Sequence, residues 1–373
     1  MRIAFYAPLK SPTHGTPSGD RRVAGLLLDA LALAGHRPEI VSTFRSYDAG
    51  GDMERQRALQ AQGEAHADQL AAQWQAAPAA QRPALWFTYH LYYKAPDWLG
   101  PRVSEALGIP YVVAEASHAA KRAHGPWALG HDATIAALRK AALILCPSRD
   151  DIAGVQQVVD AGRILHLPPF LDVGPYVAAR VRRPEIRLQL AREHALDEKA
   201  SWIAVVAMMR WGDKLASYRA LASALGKLGE LPWQLIVAGD GPARAEVEKL
   251  FDRRACFLGS LRQRRIAEVL AASDVYAWPA VNEAYGMALL EAQAAGVPVV
   301  SCATRGVPDV VADGKTGILV RDGDEEAFAA GLRALLVDAQ RRQGLGDEAA
   351  RRVLAERSLE AAAARIGNAL RSL

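Results

Sequence analysis

Residues 282 to 302 read NEAYGMALLEAQAAGVPVVSC, and this stretch sets the fold class. It opens as a loop, becomes an alanine-rich helix from Gly286, turns at Gly296-Val297-Pro298 and runs into a buried strand at Val299-Val300. Loop, helix, turn and apolar strand in that order is one step of a parallel α/β chain. Glu283 precedes the helix and Glu291 lies about a turn and a half inside it, with seven residues between them. The two acids therefore need not share a role. Between them lie the opening amides of Gly286, Met287 and Ala288. Unpaired N–H groups and the helix dipole point the same way at such a start, which suits an anion such as a diphosphate.

The same alternation extends outward. Strands are expected at Arg2 to Ala7, Glu39 to Ser42, Leu85 to Tyr89, Tyr111 to Ala114 and Leu143 to Cys146, with a helix from Val23 to Ala34 closed by Gly35. Residues 52 to 80, rich in Ala and Gln, read as helix or a loose helical insertion without chemistry. From Arg163 the text changes, and VAARVRRPEIRLQLAREHALDEKAS reads as a connection between domains. A second series follows with strands at Trp202 to Met208, Gln234 to Ala238, Asp274 to Ala277, Val299-Val300 and Gly317 to Val320. The expected architecture is α/β, with two doubly wound Rossmann-like domains facing a cleft. Residues 1–180 are expected to form the first domain and 181–352 the second, followed by a helix over 353–373. Ligands of such sheets bind at the carboxyl ends of strands, so the strand-to-helix loops are where chemistry is sought.

Composition agrees with a soluble enzyme. The chain has 373 residues, 51% hydrophobic and 23% charged, enough for two full cores. No apolar run reaches the length of a membrane span, and MRIAFYAPLK lacks the apolar stretch of a signal peptide, so a cytoplasmic setting is expected. Cys146, Cys256 and Cys302 are scattered and odd in number, which argues against a disulfide framework or a zinc site. The net charge of +4 comes largely from dispersed arginine clusters. They lack interleaved aromatics and any nucleic-acid motif, so no nucleic-acid partner is expected. Peripheral attachment to anionic lipid on the inner face of the membrane is a better-motivated use of them than nucleic acid, and plain solvated surface is the leading reading over both.

After the strand ending near Met208, Arg210 and Lys214 stand four apart, a planar fork and a point charge suited to clamping a diphosphate. GDGP at 239–242 reads as a turn into a helix with Pro242 at the first helical position. The third glycine of a dinucleotide fingerprint is missing there, Arg244 standing in its place, which disfavours NAD. Asp322-Gly323-Asp324 has a metal-binding spacing, but it precedes EEAFAAGLRALL and reads as a turn with a helix N-cap.

Taken together, the run from the E-x7-E pair through the Gly-x-Pro turn to SCATRGVPDVVADGKTGILV resembles the C-terminal signature of glycosyltransferase family 4. That family has the two-Rossmann GT-B fold, and the resemblance implies that the 353–373 helix returns to the first domain. The resemblance implies retaining transfer of a sugar from a nucleoside diphosphate sugar to a hydroxyl acceptor, whether glycan, lipid-linked glycan or small molecule, in cell-envelope polysaccharide or glycolipid synthesis. It implies that Glu291 takes ribose hydroxyls, that Glu283 orients the sugar, and that Arg210 and Lys214 steady the leaving diphosphate without a metal or other cofactor. THGTPSGDRRVAG resembles the family's glycine-rich loop, from which Gly19 carries over, and CFLGSL at 256–261 stands where relatives contact the base. The family's histidine for the sugar's 6-hydroxyl falls nearest His118, with Glu115, Ser117 and His90 as alternatives. Arg305-Gly306 stands where two glycines are common and Asp309 where glutamate is common. A sugar-nucleotide epimerase or phosphorylase of the same architecture, and a non-enzymatic binding protein, are the other classes in play.

Overall fold

The structure, a computed structural model, describes residues 1–15 and 18–373. Contacts divide it into two units, Met1–Pro168 with Leu359–Leu373, and Pro169–Ser358.

The first unit holds a six-stranded parallel sheet of β1 (Arg2–Tyr6), β2 (Arg37–Ile40), β3 (Leu85–Leu91), β4 (Tyr111–Ala116), β5 (Leu143–Cys146) and β6 (Ile164–His166), in the order β2-β1-β3-β4-β5-β6. The central strands are nearly continuous apolar runs because helices cover both faces of a parallel sheet. Edge strand β2 is short, carries Pro38 and charged residues, and lies two residues earlier than expected. Ser18 caps helix Gly19–Leu33, its hydroxyl accepting from the Arg21 amide at 3.3 Å. The 52–80 segment is one ordered helix, Met53–Ala76, started by Asp52 and seated through Gln56, Gly63, Ala67 and Ala71. These positions recur at helical spacing, a narrow stripe that the polar composition disguised.

The second unit holds β7 (Ser201–Val206), β8 (Trp233–Ala238), β9 (Ala255–Gly259), β10 (Val275–Trp278), β11 (Val299–Cys302) and β12 (Gly317–Val320), in the order β12-β11-β10-β7-β8-β9. β9 is a strand that the sequence reading passed over, its half-buried residues giving no strong apolar run. The stretch read as an interdomain connection is instead two helices, Gly174–Val181 and Arg183–His194, which pack on helix Gln263–Ala272 of the second unit. The boundary therefore lies at Pro168/Pro169 rather than 180/181. At the other end, helix Ala339–Glu356 belongs to the second unit, and the chain breaks at Arg357-Ser358 before helix Leu359–Leu370. That last helix packs on Gly19–Leu33 in the first unit, so the return begins at Leu359 rather than 353. Cys146 and Cys302 are buried free thiols and Cys256 is half-buried. Among the described residues no helix is long and apolar enough to cross a membrane.

Candidate functional site

In the second unit β7 and β10 are hydrogen-bonded neighbours, with Ile203 opposite Val275 and Ala204 opposite Tyr276. The loops leaving their carboxyl ends therefore emerge side by side. One delivers Lys214 and the other Glu283, and the two form an ion pair through Lys214 Nζ and Glu283 Oε2. Trp278 Nε1 donates to the same oxygen at 3.3 Å, and the ammonium stands 5.4 Å from the centre of the Trp278 ring. Glu283 Oε1 takes no hydrogen bond among the described residues. The side chains are 28% and 20% exposed, sheltered yet open to a ligand. Sequence reading gave these two residues separate tasks, and the structure joins them.

The Glu283 loop is held on two sides. From helix Asp213–Gly226, Ser217 Oγ accepts the Val281 amide at 3.0 Å and Asp213 accepts from Asn282 Nδ2 at 2.9 Å. From the other side the Gly306 amide donates to the Ala284 carbonyl at 2.9 Å. Ala280 and Asn282 have φ of 59° and 51°, left-handed values that cost non-glycine residues about 1–3 kcal/mol each and persist only when the surroundings impose them. The helix that carries Lys214 thus also shapes the loop that carries its partner.

Helix Met287–Ala294 opens at Gly286, whose φ of 71° is left-handed and where a Cβ would lie 2.8 Å from Leu289 Cδ1 and push that side chain aside. Leu289 N–H donates to the Gly286 carbonyl at 3.0 Å, and no side chain caps the start. Met287 and Ala288 are half-buried beside it. Glu291 differs sharply from Glu283: it is 2% exposed, within the packed face of this helix. Arg210 is exposed and in no ion pair among the described residues. GDGP supports the β7 loop from behind. Met209 N–H donates to the Asp240 carbonyl at 3.0 Å and Ala243 N–H to the Met209 carbonyl at 2.9 Å. A Cβ at Gly239 would lie 1.9 Å from the Ala207 carbonyl, so only glycine permits that approach. The helix beyond starts at Arg244 with Ala243 before it, so Pro242 sits in the turn and not at the first helical position. Asp324 caps helix Glu325–Val337, accepting the Ala327 amide at 2.9 Å.

In the first unit, Thr16 and Pro17 of the glycine-rich loop lie outside the described residues. Gly19 is the first residue of its helix, and a Cβ there would meet open space. Beside it Asp20 Oδ1 lies 3.0 Å from His90 Nδ1, and Glu115 Oε1 lies 3.6 Å from the same nitrogen. His90 and Glu115 sit at the ends of β3 and β4 with φ of 63° and 59°. Burial opposes charge on His90, but the carboxylates of Glu115, Asp20 and Asp151 outweigh it and raise its pKa above the ordinary value. The bond to His90 in turn holds Asp20 below the usual carboxylate range. His118 stands apart from this group. Its ring packs 5.6 Å from that of His131, its Nδ1 is buried without a partner, and burial followed by the His131 charge depresses its pKa. Two strand ends and the first turn of helix Gly19–Leu33 converge on one histidine, a signal for His90 that is visible once the order β1-β3-β4 is known.

Residues 201–338 match the family model for glycosyl transferases group 1. The chain is 36% identical over 156 residues to the sulfoquinovosyl transferase of Arabidopsis thaliana, covering 41% of this chain and 30% of that one. It is 29% identical over 180 residues to the N-acetyl-alpha-D-glucosaminyl L-malate synthase of Bacillus anthracis, covering 47% and 46%. The chain thus spans about a third to a half of the length of these relatives. A crystal structure of Anabaena HepE in complex with UDP superimposes with a TM-score of 0.75 at 17% identity, covering 100% of both chains. That likeness shows the fold, the two doubly wound α/β units of the GT-B class.

Proposed function

We propose that this protein is a retaining glycosyltransferase that moves a sugar from a nucleoside diphosphate sugar to a hydroxyl acceptor. The observation that carries this reading is the Lys214–Glu283 pair, fixed by Trp278 at the mouth of an uncapped helix, inside the segment that matches the group 1 model. Lys214 and Arg210 supply two positive charges, and the amides of Gly286, Met287 and Ala288 a third source of positive potential, for the diphosphate. With these in place the leaving group needs no metal. Glu283 Oε1 is available to a sugar hydroxyl while Oε2 holds Lys214 in position. As the bond to the diphosphate breaks, its own oxygen takes the acceptor proton on the same face, and the preorganised cations stabilise the charge that develops. Glu291 is assigned to the ribose. In the first unit, the His90 group at the start of helix Gly19–Leu33 is the site for the sugar or the acceptor, and its geometry favours it over His118.

The relatives' names, a sulfoquinovosyl transferase and an N-acetyl-alpha-D-glucosaminyl L-malate synthase, support glycosyl transfer, and the HepE complexes with UDP and UDP-glucose support a nucleotide-sugar donor. A cytoplasmic protein peripheral to the inner membrane face, acting in envelope polysaccharide or glycolipid synthesis, completes the reading. The test is thermal stability of the purified protein against UDP, GDP, ADP and their sugar conjugates, with and without EDTA. A ligand at a hundred times its dissociation constant stabilises by about 2.7 kcal/mol. One nucleotide raising the melting temperature, with EDTA without effect, is expected; no shift with any nucleotide overturns the proposal.

A further inference from the structure

The first unit carries a row of aromatic rings that the donor chemistry does not use. From His90 the centroids step 5.0 Å to Tyr92, 5.6 Å to Tyr93 and 5.8 Å to Trp127. All three of these aromatic side chains are half-buried, whereas the large aromatics of the core beneath them are fully buried. Two cations lie over the row. Arg122 stands 5.3 Å from the Tyr93 ring centre and 4.9 Å from that of Trp127, and Lys94 stands 4.8 Å from Trp127. Neither cation has an ion-pair partner among the described residues. The nearby carboxylate of Asp48 is occupied, accepting from Gln56 Nε2 at 3.0 Å and from the Gly50 amide at 3.2 Å.

Two polar groups in the row are unsatisfied. Trp127 Nε1 and Arg122 Nε are shielded from water and meet no acceptor among the described residues. Buried donors are normally paired, so the two orphans, which meet where Arg122 stacks on Trp127, leave this corner short of an acceptor among the described residues. The backbone beneath is fixed rather than loose. Ala95 N–H closes the 92–95 turn on the Tyr92 carbonyl at 2.9 Å, and Gly130 brings helix Ala128–Lys140 so close that a Cβ would lie 2.1 Å from the Tyr93 carbonyl.

We propose that Tyr92, Tyr93 and Trp127, with Arg122 and Lys94, form a subsite for an acidic glycan, the cations stacked on Tyr93 and Trp127 taking an anionic substituent and the Tyr92 ring, over which no cation lies among the described residues, taking a sugar ring. A flat apolar face suits the axial C–H face of a pyranose, and two cations without ion-pair partners among the described residues select for negative charge. The row starts at His90, whose Asp20 partner follows Gly19, so the subsite extends from the group assigned above to the sugar or acceptor. It rests on that reading in naming the acceptor as an anionic saccharide.

The experiment is binding of hyaluronan tetrasaccharide and of neutral chitotetraose to the full chain, followed by tryptophan fluorescence and calorimetry, beside the nucleotide melting series. The acidic tetrasaccharide is expected to bind at least about tenfold tighter than the neutral one, with the preference falling as salt rises. Arg122→Gln removes that preference, and Trp127→Phe removes most of the fluorescence response while keeping an aromatic face. Both variants keep the wild-type nucleotide shift, which shows that they fold. Equal binding of the two saccharides, no binding of either, or an unchanged preference in Arg122→Gln overturns the subsite. A protein that binds the acidic saccharide but responds to no nucleotide keeps the subsite and loses the donor reading.

Discussion

Gly306→Ala is a single-methyl test of how the Glu283 loop is held. A Cβ at this buried position would lie 2.3 Å from the Ala284 carbonyl oxygen and 3.3 Å from Tyr285 Cβ. The obstruction is backbone, so no side-chain rotation relieves it. Opening the gap to an ordinary contact requires a shift of about 1 Å, since overpacked cores relax only by moving backbone. That shift also stretches the bond from the Gly306 amide to the same Ala284 oxygen, now 2.9 Å. Overpacking costs about 1–3 kcal/mol and the weakened hydrogen bond about 1 kcal/mol, so a loss of about 2–4 kcal/mol is expected. For a unit of this size it lowers the melting temperature by about 4–16 °C. Urea unfolding measures it as a lower midpoint with an unchanged slope. Because the loop carries Glu283, the nucleotide-induced stabilisation should shrink as well. Gly314→Ala is the control: its φ of 67° costs backbone strain, but a Cβ there meets nothing within 4 Å and the residue is far along the chain from the loop. Wild-type stability and nucleotide response in Gly306→Ala would refute the claim that this contact shapes the loop.

Other expectations follow from the same geometry. Lys214→Ala leaves Glu283 with only the Trp278 indole and removes one charge-assisted bond to the diphosphate, so calorimetry should show nucleotide affinity falling about 10- to 100-fold. Glu291→Ala should abolish donor binding; unchanged affinity in that variant removes the ribose assignment, whatever its effect on stability. His90 titrates above its unfolded value, so it contributes stability that is fully present below about pH 6.5 and lost as pH rises through the raised folded value. Asp20 titrates below its unfolded value and contributes above that value, losing its share as pH falls through the lowered folded one. The melting-temperature difference between wild type and His90→Gln should therefore shrink on going from about pH 6 to pH 9; a difference that grows instead refutes the ion-pair account.

Much of the fold was legible because it is written locally. Apolar runs, glycine turns and caps act over a few residues, and Ser18, Asp52 and Asp324 start helices through bonds to amides two or three positions on. Where the local signal is weak the reading slipped: half-buried β9 was missed, and the charged 174–194 helices were taken for a linker because only a few positions on each are buried.

By itself, then, the sequence determined the parallel α/β class, most of the run of strands and the helix start at Gly286, since each follows from periodicity and turn chemistry within one segment. Tertiary structure decided which of the candidate residues meet. Lys214 and Glu283 are 69 positions apart, and they pair because β7 and β10 are neighbours in the second sheet. His90 and Asp20 are 70 positions apart, and β1 beside β3 brings them together. Strand order is a property of the whole sheet, set by how all its apolar faces are buried at once, and no short stretch of chain contains it.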